Sequence, residues 1–304
     1  MDTIIVSIDT KLIQDKESIS SFKYNLPFKL KNVVEINLSS IEVPNSIYVF
    51  TKKKDNDYML LKIFDKTFRF YLPNGNYDIK ELYDNLLEFF NTIESYNFHN
   101  NKYVIIGIAF DVDIARFKIN CNVPFSLYFD NSTKYQSLGR LIGFAKEKYE
   151  DVMVLVSELI PDIIGDKYIF MRMNDFGNLY HNNNKYFSKI IINKETYEMV
   201  FNSAHKFITK LFKFNQPTDI ETLNFTFEDY LGNLIEFNGI DLSFTLEFKL
   251  IKNEMLNKFY SKFNYDHELM KLILHDSMLK YYTNSLEFNN KELAKKYNDI
   301  INSS

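Results

Sequence analysis

Apolar and polar residues alternate through most of this chain. The clearest stretch is "LNFTFEDYLGNLIEFNGIDLSFTLEF", residues 223–248. Leu223, Phe225 and Phe227 fall on one face with Asn224, Thr226 and Glu228 opposite. Leu242, Phe244, Leu246 and Phe248 repeat the pattern, with Ser243, Thr245 and Glu247 outward. A period of two marks strands with one buried face. "EDYLGN" supplies the turn between the runs, and Gly232 can take the positive φ a turn needs. The same period runs through "TIIVSID" and through "NVVEINLSSIEVPNSIYVF", where Val34, Ile36 and Leu38 share a face until Pro44 and Asn45 break it. "YMLLKIF" and "TFRFYLP", joined across Asp65–Lys66, read as a hairpin, with Phe68, Phe70 and Leu72 on one face.

One segment changes period. In "NGNYDIKELYDNLLEFFNTI" the apolar residues Ile79, Leu82, Tyr83, Leu86, Phe89, Phe90 and Ile93 recur at helical spacing. Asp78 followed by Glu81 has the form of a capping box, which predicts a helix from about Asp78 to Ile93, lying on a sheet or closing a barrel end. Strand patterning then returns in "YVIIGIAF", "ARFKINC", "FSLYFD", "DVMVLV", "YIFMRM", "YFSKIII" and "HKFITKLFKF". Strands do not alternate with helices, so a doubly wound parallel sheet is not expected. The pattern predicts a mainly all-β chain: an antiparallel β-sandwich of jelly-roll type with one amphipathic helix. After about Ile251 the alternation stops. Leu256, Phe259, Tyr260 and Phe263, then Leu269, Ile273 and Leu274, have helical spacing. The expected division is therefore a jelly-roll domain with insertions over residues 1–251 and a helical C-terminal extension over residues 252–304.

Composition sharpens this picture. The chain has 304 residues, 29 Phe, 21 Tyr and no Trp, an aromatic content that favours pleated, half-buried surfaces. A net charge of −4 does not suit a nucleic-acid binder. The densest basic run, Lys52–Lys54, is followed by Asp55, Asn56 and Asp57 and reads as a solvated loop. A single cysteine, Cys121, cannot form an internal disulfide. "MDTIIVSIDTK" lacks the pattern of a signal peptide, and no apolar run approaches the roughly 18 residues that span a bilayer, so a soluble intracellular product is expected. The abundance of Asn, Lys, Ile, Phe and Tyr points to an A+T-rich genome.

Candidate chemistry is sparse. The chain contains no G-x-S-x-G, H-E-x-x-H, C-x-x-C, Walker loop or G-x-G-x-x-G. Of five histidines, only His267 and His275 are near neighbours. Eight residues apart on a helix they stand about 12 Å apart along its axis, too far to share a metal. Asp111 and Asp113 could hold a hard cation or mark a turn. Cys121 reads as a small buried hydrophobe, and Gly139 and Gly143 of "GRLIG" as loop or helix-end glycines. No catalytic, cofactor or metal residue is assigned and no cofactor is expected.

The order of several motifs carries more. "NVVEINLSSIEVPNSIYVF", "FYLPNGNYDIKELYDNLLEFFN", "SLGRLIGF", "DKYIFMRMNDFGN" with "YFSKIII", and the closing run with Asp229, Gly232, Asn238, Gly239, Asp241, Ser243, Phe244, Leu246 and Glu247 stand in that sequence. Over roughly residues 20–250 the set resembles jelly-roll minor capsid proteins of nucleocytoplasmic large DNA viruses. The resemblance implies a structural virion protein, in or beneath the shell of major capsomers or at the vertices, made and assembled in the host cytoplasm. Its implied partners are the major capsid protein, other minor capsid proteins and copies of itself. It implies no enzyme activity, no specific nucleic acid and no transmembrane segment. A helical tail and modest length depart from the family; the length favours one decorated jelly roll over a double one. Two other readings stay open: a carbohydrate- or receptor-binding sandwich using tyrosines such as Tyr281 and Tyr282, and an enzyme site assembled from scattered residues.

Overall fold

The computed structural model describes residues 1–94, 103–203 and 211–252. Fourteen strands and two helices are present among them. In chain order the strands are β1 (Asp2–Asp9), β2 (Ser21–Pro44), β3 (Tyr58–Ile63), β4 (Lys66–Tyr71), β5 (Ile106–Asp111), β6 (Arg116–Tyr128), β7 (Lys148–Val156), β8 (Tyr168–Met173), β9 (Leu179–His181), β10 (Asn184–Tyr186), β11 (Ser188–Ile191), β12 (Met199–Ser203), β13 (Leu211–Glu228) and β14 (Ser243–Leu250). The helices are α1 (Ile79–Glu94) and the short α2 (Leu138–Leu141). Every strand pairing is antiparallel.

The larger sheet runs β1-β14-β2-β13-β8-β11, with β12 continuing beside β2. It folds over on itself, and the aromatic contacts show how. Phe244 of β14 pairs with Ile41 near the end of β2. Yet Phe244 also lies 6.4 Å from Phe22, at the start of β2, and 4.9 Å from Phe225 of β13. A straight strand would separate positions 22 and 41 by roughly 60 Å, so β2 must bend until its two halves face each other. The bend falls where pairing with β13 shifts register between Lys213 and Thr222 and where Asn32 takes a φ of 58°. Such irregularities let one strand turn a corner between packed layers. One layer holds β1, β14, the second half of β2 and β12; the other holds the first half of β2, most of β13, β8 and β11. Their inward side chains, from Ile8 and Val6 to Met171 and Ile190, form one apolar cluster. This is a curled antiparallel sandwich of the jelly-roll type.

A second sheet, β4-β3-β6-β5 with β7 beside β6, is drawn entirely from residues between β2 and β8. It has its own core. Helix α1 lies across it, burying Leu82, Leu86, Phe90 and Ile93, with Phe89 packed 5.3 Å from Phe70 of β4. The capping box forms in both directions: the Glu81 amide donates to the Asp78 carboxylate (2.7 Å) and the Asp78 amide to the Glu81 carboxylate (3.0 Å).

Several details differ from the sequence reading. On β2 it is Val33, not Val34, that joins Ile36 and Leu38 in the core, because a register shift against β14 falls there. "ARFKINC" and "FSLYFD" are one strand, β6, whose register against β7 shifts across Val123 and Pro124. The β3–β4 turn is made by Phe64 and Asp65, with Phe64 at φ 54°. The expected helical extension, His99, His205, His267, His275, Tyr281 and Tyr282 lie outside the described residues.

Candidate functional site

The two cores meet along a polar seam, and the motif segments supply much of it. Residues 45–57 carry the chain from β2 into β3. On the sandwich side, the Ser46 hydroxyl donates to the Phe237 carbonyl (2.7 Å) and the Asn238 amide to the Ser46 carbonyl (2.5 Å). Asn238 and Gly239, at φ 51° and 80°, form the tight turn that aims this amide. On the inserted side, Asn76 accepts from the Val49 amide (2.7 Å) and donates to the Ile47 carbonyl (3.1 Å), while Gly75 and Phe50 exchange two backbone hydrogen bonds. The "SLGRLIGF" segment closes the far end: the Asp162 amide donates to Leu141 and the Leu159 amide to Gly143. A Cβ on Gly139 would meet the Phe129 ring at 2.2 Å, and one on Gly143 the Leu159 carbonyl at 2.3 Å, so both glycines serve close approach.

Asp229 is the hub of the closing motif. One carboxylate oxygen accepts from the amides of Leu231 (2.8 Å) and Asn233 (2.9 Å); the other accepts from the Tyr135 hydroxyl. Burial, then Asp229, raises the pKa of Tyr135, which therefore stays a neutral donor. Lys54 lies beneath this ring, 5.6 Å from its centroid, donates to the Tyr48 carbonyl (2.9 Å), and faces Asp166 at 3.5 Å. Its side chain is only 17% exposed. The reading of Lys52–Lys54 as a solvated loop is therefore corrected for Lys54: the run forms a 3-10 turn that points its last lysine inward, while Lys53 pairs with Glu236 at the surface. Burial raises the pKa of Asp166, with Asp229 adding to it and Lys54 opposing.

A cavity of about 200 Å³ opens at this point, walled by Val49, Leu141, Tyr135, Tyr168, Tyr230 and Asp166, with Asp162 and Lys167 exposed among its lining. It offers tyrosine hydroxyls, aromatic faces, two carboxyl groups and two lysine side chains. These are groups that hold a ligand by charge and hydrogen bonding.

The other candidates take structural positions. Asp111 accepts from the amides of Asp113 (3.1 Å) and Ile114 (3.3 Å), capping the β5–β6 turn. Cys121 is buried on β6, and burial raises its thiol pKa. His181 bonds through a ring nitrogen to the Tyr230 carbonyl (3.0 Å) and packs on Phe170. Sequence reasoning missed the roles of Tyr135 and Asp166 and the cavity: Tyr135 lies outside the quoted motifs, and Asp166 only opens "DKYIFMRMNDFGN". The signal was the order of the segments that converge here.

No protein-family model and no curated protein sequence matches the chain. Among solved structures it is similar to the mavirus penton protein, at 11% identity and a TM-score of 0.46, over 83% of this chain and 100% of that one. It is also similar to a chain of the Sputnik virophage, at 12% identity and a TM-score of 0.38, over 82% of this chain and 98% of that one.

Proposed function

We propose that this protein is a structural component of a virus capsid, a minor capsid protein at or near the vertices that joins major and minor capsid neighbours through protein contacts. The observation that carries this reading is the use made of the motif residues. Asn76, Asp229, Asn238, Gly139 and Gly143, which carry the resemblance to jelly-roll minor capsid proteins, all act in the seam or its packing, bonding side chain to backbone or permitting close approach. They maintain shape, as a capsid role requires, and the reading gives them no part in catalysis. The curled sandwich is the architecture that the resemblance implies. We place residues 1–251 in the shell-forming domain and assign residues 252–304 to contacts with neighbouring subunits.

The test is biochemical. Purified particles of the encoding virus should contain the chain at a fixed ratio to the major capsid protein, resistant to salt washing; absence from mature particles sinks the proposal. Truncation after Lys252 should leave the melting temperature unchanged and abolish incorporation. Loss of several degrees of stability would instead assign the extension to the protein's own core.

A further inference from the structure

Asp166 is poorly compensated for a carboxylate so nearly buried. Its side chain is 9% exposed, yet Lys54 stands 3.5 Å away, drawn aside by its shorter bond to the Tyr48 carbonyl. Asp229, nearby, receives three close donors. An ionised carboxylate can accept about four hydrogen bonds, and buried ones normally find partners. Asp166 also lines the seam cavity, as do tyrosine rings, whose faces attract cations. Tyr135 and Tyr230 meet there edge to face, centroids 6.3 Å apart. Val49 and Leu141 supply an apolar wall.

We propose that this cavity binds an alkylammonium group, its charged head between Asp166 and the rings of Tyr135 and Tyr230 and its stem along Val49 and Leu141. Lys54 is the internal precedent: its own ammonium already lies against a tyrosine ring and this carboxylate. The lining sets Asp162 and Asp166 beside Lys54 and Lys167, so it presents no excess of positive charge to an anion. Among the described residues no group of three or more His, Cys, Asp or Glu is placed to hold a metal ion. Two sources present the required chemistry: the lysine side chain of a neighbouring protein, and a free diamine or polyamine. The inference concerns the cavity and does not rest on the capsid reading.

The experiment is thermal melting of the full chain, at constant ionic strength, with n-butylammonium, putrescine or Nα-acetyl-lysine methylamide. A ligand that binds only the folded state raises the melting temperature by mass action. The expected result is a saturable rise in the unmodified protein, an apparent affinity at least about tenfold weaker in Asp166→Asn, and a tighter one in Lys54→Ala, where the ligand replaces the missing ammonium. Acetyl-lysine methylamide equal to or better than putrescine points to a partner's side chain; putrescine the tighter by well over twofold points to a free polyamine. Both support the site. No saturable rise in the unmodified protein overturns it, as does an equal rise in Asp166→Asn. If Asp166→Asn does not fold, an affinity in Lys54→Ala no tighter than in the parent overturns it alone.

Discussion

The sandwich and the inserted sheet solve one problem in different ways. Each hides a large apolar surface, and each is rich in phenylalanine: Phe22, Phe225, Phe227 and Phe244 in the first, Phe90, Phe117, Phe125 and Phe129 in the second. The sandwich relies on two long strands, β2 and β13, so that β2 serves both layers and must bend. The inserted sheet uses shorter pieces, and α1 covers it. On β3, Met59, Leu61 and Ile63 are buried in unbroken alternation. On β2 the buried apolar positions run Phe22, Leu26, Leu30, Val33, Ile36, Leu38, Ile41 and Val43, changing parity three times. β3 keeps its period within one layer; β2 gives its period up at the bend and again where its register against β14 shifts between Leu38 and Ser40.

The strongest test of this contrast asks whether the cores melt separately. Phe225→Ala and Phe90→Ala each remove a ring that is 1% and 0% exposed, respectively, and each should cost about 3–5 kcal/mol. Calorimetry should resolve two transitions, the first variant lowering one and the second the other. A single transition moved equally by both would break the comparison. Next in size is Gly143→Ala. Its Cβ would strike the Leu159 carbonyl on a backbone at φ 99°, which should cost about 1–3 kcal/mol, in the inserted core alone. Asp78→Ala removes one half of the α1 cap and should cost about 1 kcal/mol, again leaving the sandwich transition in place.

The smallest effect concerns the seam. The folded pKa of Asp166 lies above its unfolded value, so between the two the folded state binds more protons. Its contribution to stability is fully present below the ordinary carboxylate range and is lost as pH rises through the raised value. Denaturant midpoints measured across that acidic window should show this decline in the parent and lack it in Asp166→Asn. Equal slopes in both would place the titration elsewhere.

These contrasts also explain what could be read in advance. The β14 run from Phe244 to Phe248 was legible because its apolar side chains keep one face throughout, even where the register against β2 shifts between Thr245 and Leu246. The α1 cap was legible because Asp78 and Glu81 lie three apart and need no third party. Residues 21–32 were not read as strand, since the bend and Pro27 disrupt their period. The β3–β4 turn was expected one residue late, at Asp65–Lys66, because an aromatic such as Phe64 at positive φ carries no turn signature. Asp166 and Tyr135 could not be found at all. They are 31 residues apart, and the loops that bring them together are positioned by the packing of two separate cores.

One consequence of the β1–β14 ladder concerns force. Asp2 pairs with Leu250 and Asp9 with Ser243, and Lys252 forms an ion pair with Asp2. The first residues of β1 and the last of β14 thus leave the sandwich at the same corner. Tension applied between them would act on one ladder rung at a time, in an unzipping geometry, rather than on all rungs together in shear. The outermost strand can then peel while β14 stays held by β2 along its other edge, and the yield point of the sandwich sits at that corner.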